Sequence, residues 1–183
     1  EAGTFLMAGA LLGEIEVKNI IPKHLDKVVH KLRETGCLLK INQNSIIITP
    51  PEKIQSIDMT TAVYPGFPTD LQAQWVAVMS LADGSSMVTD TVYHDRFSHI
   101  PELSRLGANI KVENNTAFIR GKNTLVGAPV MSTDIRASAS LIIAALAAKG
   151  ETQISRVYHI DRGYENIEQK FEDLGGDIRR ISE

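Results

Sequence analysis

The sequence holds a single cysteine, Cys37, among 183 residues. One thiol can form neither an internal disulfide nor a cysteine-based zinc site. Placed at the start of a β-like run just after Gly36, it reads as a buried, inert residue. Positive charge is not in excess: 19 Lys and Arg face 22 Asp and Glu, for a net charge of −3. General binding to nucleic acid or to a membrane surface needs the opposite balance. Long apolar runs are missing too. The longest, Leu141 to Ala148, is far short of the roughly 20 residues that cross a bilayer. No His, Asp and Glu cluster has metal-ligand spacing, so no metal is expected and His94 and His159 read as structural or rim groups. Glycine-rich phosphate loops, GxSxG elbows and HExxH helices do not occur. The opening Glu1-Ala2-Gly3-Thr4 has no positively charged stretch of a secretory signal, and a cytoplasmic location is expected. The chain has no initiator Met and turns apolar almost at once, which suggests a piece of a longer polypeptide.

What is present is a soluble globular composition, 43% hydrophobic and 22% charged, enough to bury a core without staples. It is also internally repetitive. Gly13 and Gly36 lie 23 residues apart, as do Gly84 and Gly107, while Gly150 and Gly175 lie 25 apart. Leu103-Ser-Arg-Leu-Gly107-Ala-Asn-Ile110 parallels Phe171-Glu-Asp-Leu-Gly175-Gly-Asp-Ile178, and Leu32-Arg-Glu-Thr-Gly36 follows the same plan. Val92-Tyr-His-Asp-Arg96 matches Val157-Tyr-His-Ile-Asp-Arg162 with one extra residue.

Each unit opens with a segment apolar on nearly every side: Phe5 to Leu12, Leu71 to Ala82, and Ile135 to Ala148. Such a helix must be buried. A short strand follows, Met87 to Val92 or Thr152 to Val157. Next comes an amphipathic helix. In the first unit Pro22 opens it, Leu25, Val28, Val29 and Leu32 form its stripe, and Gly36 ends it. A hairpin closes the unit: Cys37 to Ile41 with Ser45 to Thr49, and Asn109 to Glu113 with Thr116 to Arg120. In the third unit Asp177 to Ser182 supplies only one hairpin strand, whose partner must come from elsewhere. Its exposed edge could drive self-association. The fold expected is α/β (α+β), one domain over 1–183, with units of about 1–62, 63–126 and 127–183 and their helices inside the sheets. Pro50-Pro51 and Tyr64-Pro-Gly-Phe-Pro68 read as loops between units.

Candidate chemistry gathers where the inner helices begin. Thr69 and Gln72 have the spacing of a capping box, and Asp70 suits the positive end of a helix. Asp70 at such a junction could equally act as a general base. Thr133 and Asp134 can cap the third helix. Arg136 is harder to explain, since a cation in a first turn is disfavoured by about 0.3–1 kcal/mol. An arginine beside free helix N–H groups makes a good anion site, and a functional role is favoured. Asp95-Arg96 and Asp161-Arg162 recur at one corner of their units. They are either weak surface ion pairs or part of a site, and Gly163 permits unusual geometry beside the second.

Four stretches carry a resemblance. They are Phe67-Pro-Thr-Asp70-Leu-Gln-Ala-Gln74, Arg96 to Ala108, Thr133-Asp-Ile-Arg136-Ala-Ser-Ala-Ser140, and Tyr158-His-Ile-Asp-Arg162-Gly-Tyr164-Glu. In that order they resemble the UDP-N-acetylglucosamine enolpyruvyl transferase family of bacterial peptidoglycan synthesis. The likeness runs along essentially the whole chain. The related shikimate-pathway transferases share the fold but not this set of motifs.

The resemblance implies two similar domains, each an inside-out α/β barrel of three βαβαββ units. This chain resembles the C-terminal half, and a short N-terminal segment would supply the strand that the third unit lacks. The implied reaction moves an enolpyruvyl group from phosphoenolpyruvate to the 3′-hydroxyl of UDP-N-acetylglucosamine and releases phosphate, without a cofactor. Asp70 is implied as the acid/base residue that holds the sugar hydroxyl. Val92 matches a nucleotide-sugar contact. Arg96, Arg136 and Arg162 match arginines around phosphoenolpyruvate, with Arg162 counted beside Asp70 as catalytic. Asp134 lies near the same cleft. His94 stands where the family is expected to have an acidic residue. The family's reactive cysteine, a Lys-Asn pair and further arginines belong to the other domain, and Cys37 does not match that cysteine. The isolated chain is therefore expected to be inactive, one wall of a site between domains. The alternative is a non-catalytic nucleotide-sugar or anion-binding module of the same fold. A purely structural domain, or an enzyme processing RNA ends, fits the residues less well.

Overall fold

A computed structural model describes residues 1–181. It is a mixed α/β fold in which α1 (Ala2–Leu12), α3 (Gln72–Met79) and α5 (Ile135–Ala147) pack against one another. Every residue from Gly3 to Ala10, from Gln72 to Met79 and from Ala137 to Ala144 is buried. These helices have no polar face, because each is covered on all sides, as their sequences require. Small residues let them approach. A Cβ placed on Gly3 would meet Leu71 Cδ1 at 2.4 Å, so this glycine seats the turn that leads into α3 against α1.

Among the described residues the strands form three sheets. The strands β1 (Ile15–Lys18), β2 (Leu38–Ile41) and β3 (Ser45–Thr49) form an antiparallel sheet in the order β1-β3-β2. The strands β4 (Met59–Thr60), β5 (Ser85–Thr89), β6 (Asn109–Glu113) and β7 (Thr116–Arg120) form a second, ordered β4-β5-β7-β6, with β4 parallel to β5. Two short parallel strands, β8 (Val130–Met131) and β9 (Ile154–Ser155), make the third. Along β7 the buried residues Ala117 and Ile119 alternate with outward Phe118 and Arg120, the period-2 pattern of a half-covered sheet.

The outer helices are α2 (Asp26–Glu34), α4 (Ile100–Arg105) and α6 (Ile167–Asp173). On α2 the stripe Val28, Val29 and Leu32 is buried. All three helices end alike. Gly36, Gly107 and Gly175 have φ of +95°, +91° and +90°, a region that costs other residues but not glycine. In each case the next N–H reaches back: Cys37 to the Leu32 carbonyl, Ala108 to Leu103, and Gly176 to Phe171. That is a Schellman closure, and it gives the repeated glycines their physical cause. Cys37 is buried as expected, and burial pushes its thiol up, with the Thr35 hydroxyl opposing.

Several boundaries differ from expectation. The strand anticipated over Met87 to Val92 stops at Thr89, because the Asp90 carboxylate takes the N–H groups of Val92 and Tyr93 and turns the chain. The run Thr152 to Val157 contributes only Ile154 and Ser155. Asp177 to Ile181 is not a strand, and Ser182 lies outside the described residues. Among the described residues no neighbouring strand hydrogen-bonds with 177–181. Arg180 instead reaches Asp161 through two nitrogens and Glu168 through Nε.

Candidate active site

Three loop-to-helix junctions converge. The first is the 3₁₀ turn Thr69–Leu71 that precedes α3. Phe67, just before it, packs edge-on against the fully buried Trp75 with ring centroids 5.5 Å apart. Leu71, its last residue, rests on Gly3. The turn is thus pinned on both sides while Asp70 points out, its side chain 68% exposed.

The capping box expected of Thr69 and Gln72 does not form. Neither side chain caps the turn, and Gln72 is fully buried. Thr69 Oγ1 donates instead to Asp90 Oδ2 at 2.6 Å and accepts from Arg96 Nη1 at 2.9 Å. A hydroxyl has one proton, and a buried carboxylate holds it more strongly than a backbone group would.

The second junction is the loop from Asp90 to His99. Arg96 does not pair with Asp95, so the surface-pair reading of this corner does not hold. Its guanidinium lies 3.9 Å over the Tyr93 ring and reaches Asp70 Oδ1 at 3.2 Å. The third is the start of α5. Asp134 is its N-cap, accepting from the N–H groups of Arg136 and Ala137 at 2.7 and 3.1 Å, as its residue type suggested. Arg136 then turns its side chain to Asp70, with Nε and Nη2 each 2.7 Å from Oδ1.

One carboxylate oxygen of Asp70 therefore meets two guanidinium groups. These are 84% and 70% shielded from solvent, with exposures of 16% for Arg96 and 30% for Arg136. Two cations beside the N-terminal ends of two helices form a strongly electropositive point, and Asp70 is the anion that occupies it. Asp134 stands beside it. Burial pushes its carboxyl up, but the N–H groups of Ala137 and Arg136, the Ser98 hydroxyl and the Arg136 charge outweigh that and hold it below the usual range.

Val92 borders the site through its N–H bond to Asp90. Arg162 is not gathered with the others. It ends the 3₁₀ segment Val157–Arg162 and is exposed, with no hydrogen bond or ion pair to its side chain among the described residues. Asp161 pairs with Arg180 and not with Arg162, and that bond holds its carboxyl below the ordinary value. The corner still lies on α5, since a Cβ on Gly163 would meet Ile135 Cδ1 at 2.4 Å. Arg162 thus sits one packing contact from the residue before Arg136. His94 is exposed at the rim, and no group of metal-binding side chains occurs among the described residues.

Sequence reasoning passed over four residues: Asp90, Tyr93, Tyr164 and His99. Asp90 ends a strand in Thr-Asp-Thr, a place where an aspartate often turns the chain, and that was the available signal. The Tyr164 hydroxyl, 2.6 Å from Thr4 Oγ1, ties the Arg162 corner to α1. Burial pushes that phenol up, with the Thr4 and Gln74 bonds opposing.

His99 is buried where this loop enters α4, and burial lowers its imidazole to about 4, with Asp134 opposing. An unperturbed imidazole, the reference for the unfolded chain, titrates near 6.5. Unfolding therefore takes up a proton between those two values, and stability falls as pH drops through the window. Denaturant unfolding at pH 7 and pH 5 should show a loss of about 2 kcal/mol that a His99→Gln variant lacks. Equal losses in both proteins would exclude His99 as the cause.

A model of the EPSP synthase (3-phosphoshikimate 1-carboxyvinyltransferase) family matches residues 1–171, so the chain belongs to that family of enolpyruvyl transferases. Within it, the similar curated relatives are UDP-N-acetylglucosamine 1-carboxyvinyltransferases. That of Pelodictyon phaeoclathratiforme is 52% identical and that of Myxococcus xanthus 49%, each over 181 residues. Both alignments take in 98% of this chain but 43% of the relative, so the chain spans less than half of those proteins. Among solved structures, the enolpyruvyl transferase NikO from Streptomyces tendae superposes with a TM-score of 0.85 at 27% identity, over 97% of this chain and 42% of that one. EPSP synthase from Acinetobacter baumannii shares the fold, with a TM-score of 0.73 at 16% identity over 98% and 43% of the two chains.

Proposed function

We propose that this chain forms one wall of the active site of an enzyme that transfers enolpyruvyl from phosphoenolpyruvate to the 3′-hydroxyl of UDP-N-acetylglucosamine, in peptidoglycan synthesis. The observation that carries the reading is Asp70 Oδ1 held between Arg96 and Arg136 where α3 and α5 begin. The names and identities of the relatives support it. The reaction needs a base for the hydroxyl, a proton for the enol methylene carbon and positive charge for a carboxylate and a departing phosphate. Asp70 is exposed enough to reach the hydroxyl. Asp70 takes the hydroxyl proton, the sugar oxygen attacks the enol carbon as the methylene is protonated, and loss of phosphate and of a methyl proton restores the double bond. Arg96 and Arg136, already partly desolvated, stabilise the anionic groups. Arg162 joins them when ligand fills the site, and Val92 borders the nucleotide sugar. Asp134 holds the α5 terminus in register.

In this reading residues 1–183 are one inside-out barrel of three units, about 1–62, 63–126 and 127–183, paired with a second domain of the same cytoplasmic polypeptide. The short β8–β9 sheet is then completed by a strand from outside this segment, and the isolated chain self-associates through that edge. The test is phosphate release from phosphoenolpyruvate by the full-length polypeptide, with and without UDP-N-acetylglucosamine. Release that needs the nucleotide sugar is expected. Release with shikimate 3-phosphate instead, or none with either acceptor, would overturn the proposal. Calorimetric binding of UDP-N-acetylglucosamine without turnover would favour a non-catalytic module.

A further inference from the structure

We infer that Asp90 is the positioning residue of this site, the group that fixes Arg96, and so one side of Asp70, without touching either. Asp90 has no solvent exposure, yet its carboxylate accepts four hydrogen bonds. Oδ1 takes the Thr61 hydroxyl at 2.8 Å and the N–H groups of Val92 and Tyr93 at 2.9 and 2.8 Å. Oδ2 takes the Thr69 hydroxyl at 2.6 Å. Its own backbone is clamped by Asn115, whose carbonyl accepts the Asp90 N–H while its side-chain amide donates to the Asp90 carbonyl. The carboxylate is thus anchored to the β6–β7 hairpin and gathers two separate loops.

The direction of the bonds is forced. A guanidinium can only donate and a carboxylate can only accept. The Thr69 hydroxyl between them must give its proton to Asp90 and turn its lone pairs to Arg96 Nη1. The same carboxylate closes the turn that puts the Tyr93 ring under the Arg96 guanidinium. Arg96 is therefore oriented from two directions by one buried group, once through Thr69 and once through Tyr93. Burial pushes the Asp90 carboxyl up, but the bonds from Thr69, Tyr93, Thr61 and Val92 outweigh this and hold it below the usual range. The group stays ionised and acts as a fixed acceptor.

An Asp90→Asn substitution is a selective probe. Three donors hold an oxygen at the Oδ1 position, so the new amide nitrogen must face Thr69. It donates there, the threonine proton is driven toward Arg96, and donor meets donor. The turn at Val92 and Tyr93 survives while the Thr69 link to Arg96 is lost.

The inference rests on the proposed transfer reaction, and the experiment uses the full-length polypeptide. Asp90→Asn and Thr69→Val are each expected to lower kcat/KM about ten- to hundredfold, as misplacement of a binding group does. KM should rise for phosphoenolpyruvate more than for the nucleotide sugar. The double variant should lose no more than either single one, because both changes cut one link, and Thr69→Ser should restore activity. Additive losses, or a lowered Tm with an unchanged KM for phosphoenolpyruvate, would overturn the assignment. If the wild-type polypeptide transfers no enolpyruvyl group, the functional reading falls, and the geometry is then read from the Arg96 guanidinium ¹⁵N–¹H resonance. Its exchange should be slow in wild type and Thr69→Ser and fast in Asp90→Asn and Thr69→Val. Slow exchange in Asp90→Asn would overturn it.

Discussion

An Asp70→Asn variant of the full-length polypeptide is expected to lose turnover by about three orders of magnitude while binding inorganic phosphate more tightly than wild type. The two effects have different physical origins. As acid/base group, Asp70 contributes the factor of about 10²–10⁴ typical of a positioned proton carrier, and an amide cannot replace it. As an anion in an otherwise cationic pocket, Asp70 also competes with the ligand. Its Oδ1 lies 3.2 Å from Arg96 and 2.7 Å from Arg136, where a substrate oxygen would sit. Removing that charge leaves two guanidinium groups free to bind phosphate. Because Asp70 is largely exposed, the gain is that of a screened surface pair, about two- to fivefold. Stopped-flow turnover and phosphate calorimetry on one preparation check both. A loss of turnover below tenfold would remove Asp70 from acid/base work. Weaker phosphate binding would mean that Asp70 organises the arginines and does not occupy their site.

Much of the scaffold was legible because it follows from local patterns. Helices without a polar face had to be interior, and α1, α3 and α5 are buried throughout their middles. Gly36 was read as the end of its helix, and Gly36, Gly107 and Gly175 share one Schellman closure. The hairpin strands Ser45–Thr49, Asn109–Glu113 and Thr116–Arg120 were placed residue for residue. Asp134 as a cap was equally local.

What escaped was non-local. Thr69 has the sequence of a capping residue, but a carboxylate 21 positions away takes its proton. Nothing in the spacing of Asp90 and Thr69 shows that β5 and the α3 turn end side by side. The strand anticipated at Asp177 failed for a related reason. A strand is a relation between two segments, and one segment's pattern cannot supply the partner. The mispairing of the Asp-Arg corners is a third instance. Of the two readings of those corners, the surface pairs Asp95–Arg96 and Asp161–Arg162 do not form, and the folded chain pairs Arg96 with Asp70 and Asp161 with Arg180.

Arg136 joins the local and non-local arguments, and its replacement should separate activity from stability. In the first turn of α5 its charge opposes the helix dipole by about 0.3–1 kcal/mol. The exposed pair with Asp70 returns a similar small amount. An Arg136→Ala variant should therefore unfold within about 0.5 kcal/mol of wild type. Activity should behave differently. Arg136 directs Nε and Nη2 at the point where Asp70 Oδ1 now sits, both at 2.7 Å, and two parallel donors match a carboxylate or phosphate edge. Loss of a preorganised donor group of this kind lowers kcat by about 10²–10³. Arg136→Lys restores the charge but not the fork, so it should recover less than about a tenth of the lost kcat/KM. Urea unfolding and steady-state kinetics on the three proteins check this. Full recovery by lysine would show that net charge suffices there. A fall in stability parallel to the fall in activity would show that Arg136 holds the helix terminus together and that the residual cation at this helix start is structural.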